Sequence, residues 1–182
     1  MEKRLNEIMV EYICVNYQSD MTYPGQKAFD CGNHIINRYV RNSLKSNVAN
    51  GNCVAKVLID TKTGELLGVC SFTGYSLAKF RLSGVLSGSM PSDLSVVRLV
   101  MLGVSVKHQK KGYGHILMRE FLEHAIKVHN VMPIKGIFLD ADPDAVAFYT
   151  LLGFVELGIP ASNGTTPMFL KIQDLLASIR GS

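Results

Sequence analysis

At 182 residues with 47% hydrophobic side chains, the chain is long enough to bury a substantial core without metal or disulfide support, and it is read as one domain over 1–182. Cys14, Cys31, Cys53 and Cys70 lie far apart with no C-x-x-C pair, which argues against a disulfide framework or a zinc site and favours a reduced cytoplasm. The formal charge of +4 permits an anionic partner without requiring one, and neither a signal peptide nor a run of roughly 18 apolar residues is present, so no membrane segment is expected.

The tract 1–28 is the least regular: residues 8–15 carry an apolar run that reads as a first strand, and Pro24-Gly25 signals a turn. From Cys31 to Val40, Ile35, Ile36, Tyr39 and Val40 fall at helical spacing, with Arg38 and Arg41 on the other side. Cys53 to Asp60 and Leu66 to Tyr75 read as a hairpin around Thr61-Lys62-Thr63-Gly64. Ser76 to Asp93, with Gly84, Gly88, Pro91 and several serines, reads as a loop flanking a cleft. Val96 to Val106 is apolar apart from Arg98, as in a strand buried on both faces, and Gly103 within it marks a bulge or a close approach. Leu117, Phe121, Ala125 and Val128, widened by Met118 and Leu122, make the apolar stripe of a helix that Pro133 stops. A strand over Gly136 to Asp140, a helix from Asp144 to Leu152 ended by Gly153, two closing strands at Phe154 to Leu157 and Met168 to Ile172, and a final helix from Asp174 to Ile179 complete the order. Arg180-Gly181-Ser182 reads as a cloning remnant. Hairpin strands followed by strand–helix–strand predict an α/β or α+β sheet with a parallel pair at its heart, and a crevice where those strands end.

The run Gln109-Lys110-Lys111-Gly112-Tyr113-Gly114 joins the central strand to the longest helix. Such a turn presents unpaired N–H groups at a helix N-terminus, where the macrodipole also favours an anion. Leu117 stands where a dinucleotide fingerprint needs its third glycine, and His115 follows Gly114 where a triphosphate loop needs Lys-Ser/Thr, so both nucleotide readings fail. Asp140, Asp142 and Asp144 read as the end of a strand and the cap of a helix. His34, His108, His115, His124 and His129 form no ligand pair, and no metal is expected.

What remains is Q-x-x-G-x-G after a hydrophobic strand, followed by Ala147-Phe148-Tyr149-Thr150-Leu151-Leu152-Gly153-Phe154. The pair resembles the Gcn5-related N-acetyltransferases (GNAT), in which a tyrosine precedes a Gly-Phe and the turn binds the pyrophosphate of acetyl-CoA. The resemblance implies a mixed sheet with a parallel pair splayed around acetyl-CoA and flanked by helices. It implies donor contacts from Leu102, Gly103, Val104, Gln109, Lys110, Lys111, Gly112, Tyr113, Gly114, Asp142 and Phe148, and catalysis by Tyr149, whose phenol is suited to protonating a departing thiolate. Phe29-Asp30-Cys31-Gly32 before the first helix, Gly68-Val69-Cys70-Ser71 in the hairpin, Pro91 before the central strand, Leu102-Gly103-Val104, the run Asp142 to Phe154 and Met168-Phe169-Leu170 narrow the match. Together they are similar to the GNAT toxins of bacterial toxin–antitoxin modules, the TacT and AtaT type. The match spans residues 29 to 172.

That group acetylates the amino group of aminoacyl-tRNA and so blocks translation. The resemblance implies aminoacyl-tRNA as acceptor, an antitoxin partner of the ribbon–helix–helix kind, and a homodimer. Arg38, Arg41, Lys45, Lys79, Arg81, Arg98 and Lys107 are candidates for acceptor-stem phosphates. This chain has Met101 where many of these toxins carry Arg, and Lys110 where they carry Gly after the Gln. Two other classes share the donor residues: a GNAT enzyme acting on a small amine, an antibiotic or a protein lysine, and a silent acyl-CoA-binding module, against which Tyr149 argues.

Overall fold

A computed structural model describes residues 11–158 and 161–180; the start of the first apolar run, residues 8–10, lies outside them. The described strands β1 (Tyr12–Asn16), β2 (Val54–Asp60), β3 (Leu66–Ala78), β4 (Asp93–Val104), β5 (Gly136–Ala141), β6 (Val155–Glu156) and β7 (Thr166–Lys171) form one sheet in the order β1-β2-β3-β4-β5-β7-β6. All pairings are antiparallel except β4 with β5, whose parallel register holds only at Val97 with Ile137 and Arg98 with Phe138. Beyond that point the two strands part. No helix among the described residues is long and apolar enough to cross a membrane.

One sheet face is covered by α3 (Tyr113–Val131), which is buried at Tyr113, Leu117, Met118, Phe121 and Ala125. The 3.6-residue period puts these side chains on one stripe, and they pack on Leu58, Leu67, Phe72, Val97 and Leu99 of the sheet. Burying each of the larger ones contributes about 1.5–3 kcal/mol. Val128 and Leu122, at the edge of the predicted stripe, are only partly covered. The C-terminal helix α5 (Ile172–Arg180) adds Ile172 and Leu175 to the same core.

The opposite face has two covers. Over the β1–β3 half lie α1 (His34–Arg38), a π-helical turn (Tyr39–Ser43) and α2 (Leu44–Ala49), which set Val40 and Leu44 against Val57 and Val69. Over the β5–β7 half, the β3–β4 connection folds back and buries Leu82 among Leu77, Leu94, Val96, Phe138 and Phe169.

Two expectations are corrected. The segment predicted as a loop over Ser76 to Asp93 is partly regular: β3 runs on to Ala78, a 3-10 turn covers Lys79–Leu82, and β4 begins at Asp93. Serines and glycines suggested a loop, but Ser76 and Leu77 pair with Ser95 and Leu94, and ladder pairing outweighs composition there.

The second correction concerns β4, which bulges at Val100 rather than at Gly103. Ser71 pairs with Met101 and Phe72 with Leu99, so Val100 is the extra residue. The bulge changes the phase of the strand: Val97 and Leu99 face α3 before it, Leu102 and Val104 after it. For the same reason β4 is not buried on both faces throughout, and residues 100–102 stay partly exposed. The predicted close approach at Gly103 is present. A Cβ there would lie 2.9 Å from Ile36 Cγ2 and 3.3 Å from Cys31 Sγ, so the missing side chain lets α1 settle on β4.

Candidate active site

The parting of β4 and β5 leaves one edge of β4 without a strand partner beyond Arg98, while its other edge stays paired through Leu102, Gly103 and Val104 to Cys70, Val69 and Gly68. A cavity of about 340 Å³ opens in the gap, lined by Ile35, Ile36, residues 98–102, Asp140, Asp142, Ala145, Tyr149, Ala161, Asn163 and Thr165. A second hollow of about 420 Å³ lies at the turn, lined by Val104, Gln109, Lys110, Gly112, Tyr113, Gly114 and His115. Val104 ends the strand that lines the first cavity and reaches the second, so β4 joins the two.

The turn is shaped by backbone. Lys110 has φ +61°, the one positive-φ residue other than glycine among the described residues, and Gly112 follows at +81°. A side chain in the left-handed region costs roughly 1–2 kcal/mol, which the surrounding structure must offset. Part of that support comes from Gln109, whose Nε2 donates to Cys31 O at 2.9 Å and Val104 O at 3.0 Å. The side chain of Gln109 is therefore a strut between the turn, β4 and the segment before α1. Gly112 is the N-cap of α3 and brings no capping side chain, leaving the first N–H groups of the helix without intrahelical acceptors. A Cβ at Gly112 would meet nothing within 4 Å, so the approach is open, and Lys110 and Lys111 are exposed beside it. This geometry suits a diphosphate.

Across the gap, Pro143 starts a 3-10 turn (Pro143–Ala145) that leads into α4 (Val146–Leu151), and Gly153 at φ +92° ends it. Tyr149 on α4 is 7% exposed, with its ring against Phe148 at 5.2 Å and Phe154 at 5.7 Å. Among the described residues, no protein group bonds its hydroxyl. Burial pushes the phenol well above its usual range, and the Cys70 thiol and Asp142 carboxylate act in the same direction. Tyr149 thus holds its proton at neutral pH. Phe148 stands against His115 at 4.9 Å, and its ring lies 4.0 Å from where a Cβ on Gly114 would sit, which ties α4 to the turn.

Asp142 is anchored from afar: its Oδ2 accepts from Asn33 Nδ2 at 2.8 Å. Asn33 also caps α1, its Oδ1 accepting from Ile35 N at 2.9 Å and Ile36 N at 3.2 Å. The preceding Phe29-Asp30-Cys31-Gly32 is a braced corner in which Asp30 Oδ1 accepts from Gly32 N and Asn37 Nδ2, and Asn37 Oδ1 accepts from Cys31 N. Those two donors hold the Asp30 carboxyl below the usual range.

The basic residues named from sequence do not form one set. Arg98 lines the cavity with Tyr149, its Nη2 donating to Asp140 Oδ2 at 2.9 Å and its guanidinium 5.1 Å from the Tyr75 ring. Arg81 lies 5.0 Å above Phe138, a ring that Arg98 also approaches at 5.9 Å. Lys79 Nζ reaches Met90 O at 3.4 Å. Arg41 and Lys45 line a different groove with residues 21–28, and Arg41 Nε donates to Phe29 O. Arg38 and Lys107 are exposed and line neither the cavity nor the turn hollow. From the sequence, Asn33 has no role and Asp140 reads only as the end of a strand. Asn33 carried a signal, an Asn directly before a helical pattern; Asp140 had one in the alternation Leu139, Asp140, Ala141, which aims a carboxylate away from the core.

A mixed sheet parted at its parallel pair, with an anion-binding helix start on one side and a protonated tyrosine on the other, is an acyl-transfer architecture. The chain belongs to the GNAT acetyltransferase family: the description Acetyltransferase (GNAT) domain matches residues 75–168. It is an acetyltransferase that takes its acetyl group from acetyl-CoA. A solved bacterial toxin is 54% identical, with 96% of this chain and 98% of that chain covered at a TM-score of 0.92. AtaT complexed with acetyl-methionyl-tRNAfMet shares the fold at 20% identity, covering 93% and 99% of the two chains at a TM-score of 0.79. A tRNA-acetylating toxin of Mycobacterium tuberculosis (strain ATCC 25618 / H37Rv) is 24% identical over 128 residues, 70% of this chain and 76% of that protein.

Proposed function

We propose that this acetyltransferase acetylates the α-amine of an aminoacyl-tRNA and serves as the toxin of a type II toxin–antitoxin module. The observation that carries the toxin reading is the 54% identity to a solved bacterial toxin across nearly the whole of both chains. The acceptor follows from the Mycobacterium tuberculosis relative, which acetylates tRNA, and from AtaT, solved with acetyl-methionyl-tRNAfMet. AtaT has also been solved with the C-terminus of the antitoxin AtaR, and KacTA with DNA. From the resemblance to that group of toxins we further propose a cytoplasmic site of action, an antitoxin of the ribbon–helix–helix kind and a homodimeric state for this chain.

The residues divide the work as follows. Main-chain N–H groups at 110–115, those of Lys110 and Lys111 among them, bind the diphosphate, while the free edge of β4 from Leu102 to Val104 pairs with the amide arm. Acetyl-CoA, when bound, supplies the acetyl thioester. Asp140 offsets Arg98, and Asp142 leaves the cavity with the negative charge that draws a cationic amine. The α-amine of an aminoacyl ester is more acidic than a chain terminus near 7.7–8.0, so a large share is neutral at pH 7 and no strong base is needed. As the C–N bond forms and the C–S bond breaks, Tyr149 gives its proton to the departing sulfur, the amine releases one proton to solvent, and the phenolate takes one back from solvent to restore Tyr149. The test is transfer of labelled acetyl to charged and uncharged tRNA, alongside expression of the intact chain and the Tyr149→Phe variant in cells. Label on charged tRNA only, with growth arrest relieved by the substitution, is expected. Label on uncharged tRNA, or harmless intact protein, refutes the reading.

A further inference from the structure

The fold-back of the β3–β4 connection carries an aromatic side chain that the core does not use. Phe80 is 78% exposed, although its neighbours in the same 3-10 turn are engaged: Leu82 is fully buried, Arg81 lies on the Phe138 ring, and Lys79 reaches Met90 O. The turn adjoins the acceptor end of the cleft. Arg81 and Arg98 approach the same Phe138 ring at 5.0 and 5.9 Å, Tyr75 stacks on that ring at 5.8 Å with an interplanar angle of 11°, and Arg98 lines the cavity that holds Tyr149. A row of guanidinium and aromatic groups thus leads from the cavity to Arg81, the residue that follows Phe80. The segment that carries Phe80 has charge of one sign, with no carboxylate from Leu66 to Ser92; Asp93 pairs with Ala78 at the base of the turn.

We infer that Phe80 is a stacking platform for an unpaired base at the 3′ end of the RNA acceptor, with Arg81 and Lys79 beside it for the adjoining phosphates. The inference rests on the acceptor assigned above. An aminoacyl-tRNA delivers its amine on a short single strand, so unpaired bases accompany the reacting group into the cleft. An exposed ring flanked by cations is what binds single-stranded nucleic acid, since every base offers a π-face and every linkage a negative charge. An apolar protein segment would meet the ring but bring no anion to Lys79 and Arg81.

The test uses the full chain and a synthetic acceptor-stem hairpin with 2-aminopurine at each unpaired 3′ position in turn. Stacking quenches this base, so the unmodified chain should quench one position, Phe80→Ala should lose the quench and Phe80→Trp should keep it. In steady-state transfer to charged tRNA, Phe80→Ala should raise KM about tenfold while kcat and the KM for acetyl-CoA stay the same. No quench by the unmodified chain, or an equal quench by Phe80→Ala, overturns the inference. So does Phe80→Ala that leaves both readouts unchanged while converting dimer to monomer in sedimentation, because the ring then belongs to a contact between copies. The quench requires no acetyl transfer. A chain that quenches through Phe80 yet leaves charged tRNA unacetylated refutes the proposed reaction and keeps the stacking surface.

Discussion

Along β4 the donor end and the acceptor end are made of different materials. At the donor end, Lys110 and Gly112 take left-handed backbone angles and α3 starts without a capping side chain, so the chemistry on offer is mainly main-chain N–H. At the acceptor end, Arg98, Asp140 and Asp142 line the cavity with side chains, and the Tyr75 ring lies against the Arg98 guanidinium. Main-chain recognition survives substitution as long as the angles survive, whereas side-chain recognition is retuned by a single exchange. A fold built this way can keep one donor while its acceptor changes.

The largest effect should come from the residue between the two ends. Tyr149→Phe removes a hydroxyl that has no protein partner among the described residues, so the melting temperature should hold while acetyl transfer falls by about 100-fold or more. Measured transfer within threefold of the unmodified chain would remove Tyr149 from the chemistry. The pH profile sharpens the same point. A phenol whose pKa is raised keeps its proton to higher pH than a free tyrosine, so no falling limb belongs below about pH 10. Below the pKa of the amine, kcat/KM should climb about tenfold per pH unit and then level. A decline between pH 8 and 9 would count against the assignment.

Next in size is Gly103→Ala, which drives a methyl group to 2.9 Å from Ile36 Cγ2 and pushes α1 off β4. Stability by denaturant melt should drop by about 1–3 kcal/mol. Asp140→Asn tests the acceptor end alone. The pair with Arg98 is partly exposed and contributes no more than about 1 kcal/mol to stability, yet the KM for charged tRNA should rise several-fold with that for acetyl-CoA unmoved. Equal rises in both would erase the contrast between the ends. The smallest effect belongs to Lys110→Gly. It relieves left-handed strain but loosens the unfolded chain, so the net change should stay within about 1 kcal/mol, and acetyl-CoA affinity by calorimetry should be nearly unchanged.

The elements legible in the sequence were those whose pattern is local. The stripe Leu117, Phe121, Ala125 and the glycines of the turn declared their structures because period and backbone freedom are properties of neighbouring residues. The Val100 bulge was not legible: it exists only against β3, and an apolar run shows no break where the strand changes phase. Ser76 to Ala78 misled for a related reason, their strand being imposed by a partner 15 or more positions away. At the site, Tyr149 was named through its distance from Gly153-Phe154, whereas the Arg98–Asp140 pair and the segregation of Arg41 and Lys45 into another groove depend on how the sheet brings remote positions together.

Asn33 reaches Asp142 across 109 positions, and Gln109 reaches Cys31 across 78. These long-range closures have a consequence for biosynthesis. A nascent chain that has released α1, the hairpin and even the donor turn still lacks the residue that fastens α1 over the cleft, and contacts of such separation form late because loop closure precedes their reward. Tyr149 leaves the ribosome after Asp142. The cleft wall and the proposed proton donor are therefore completed in the same closing stretch of translation, and a copy terminated before Asp142 lacks both.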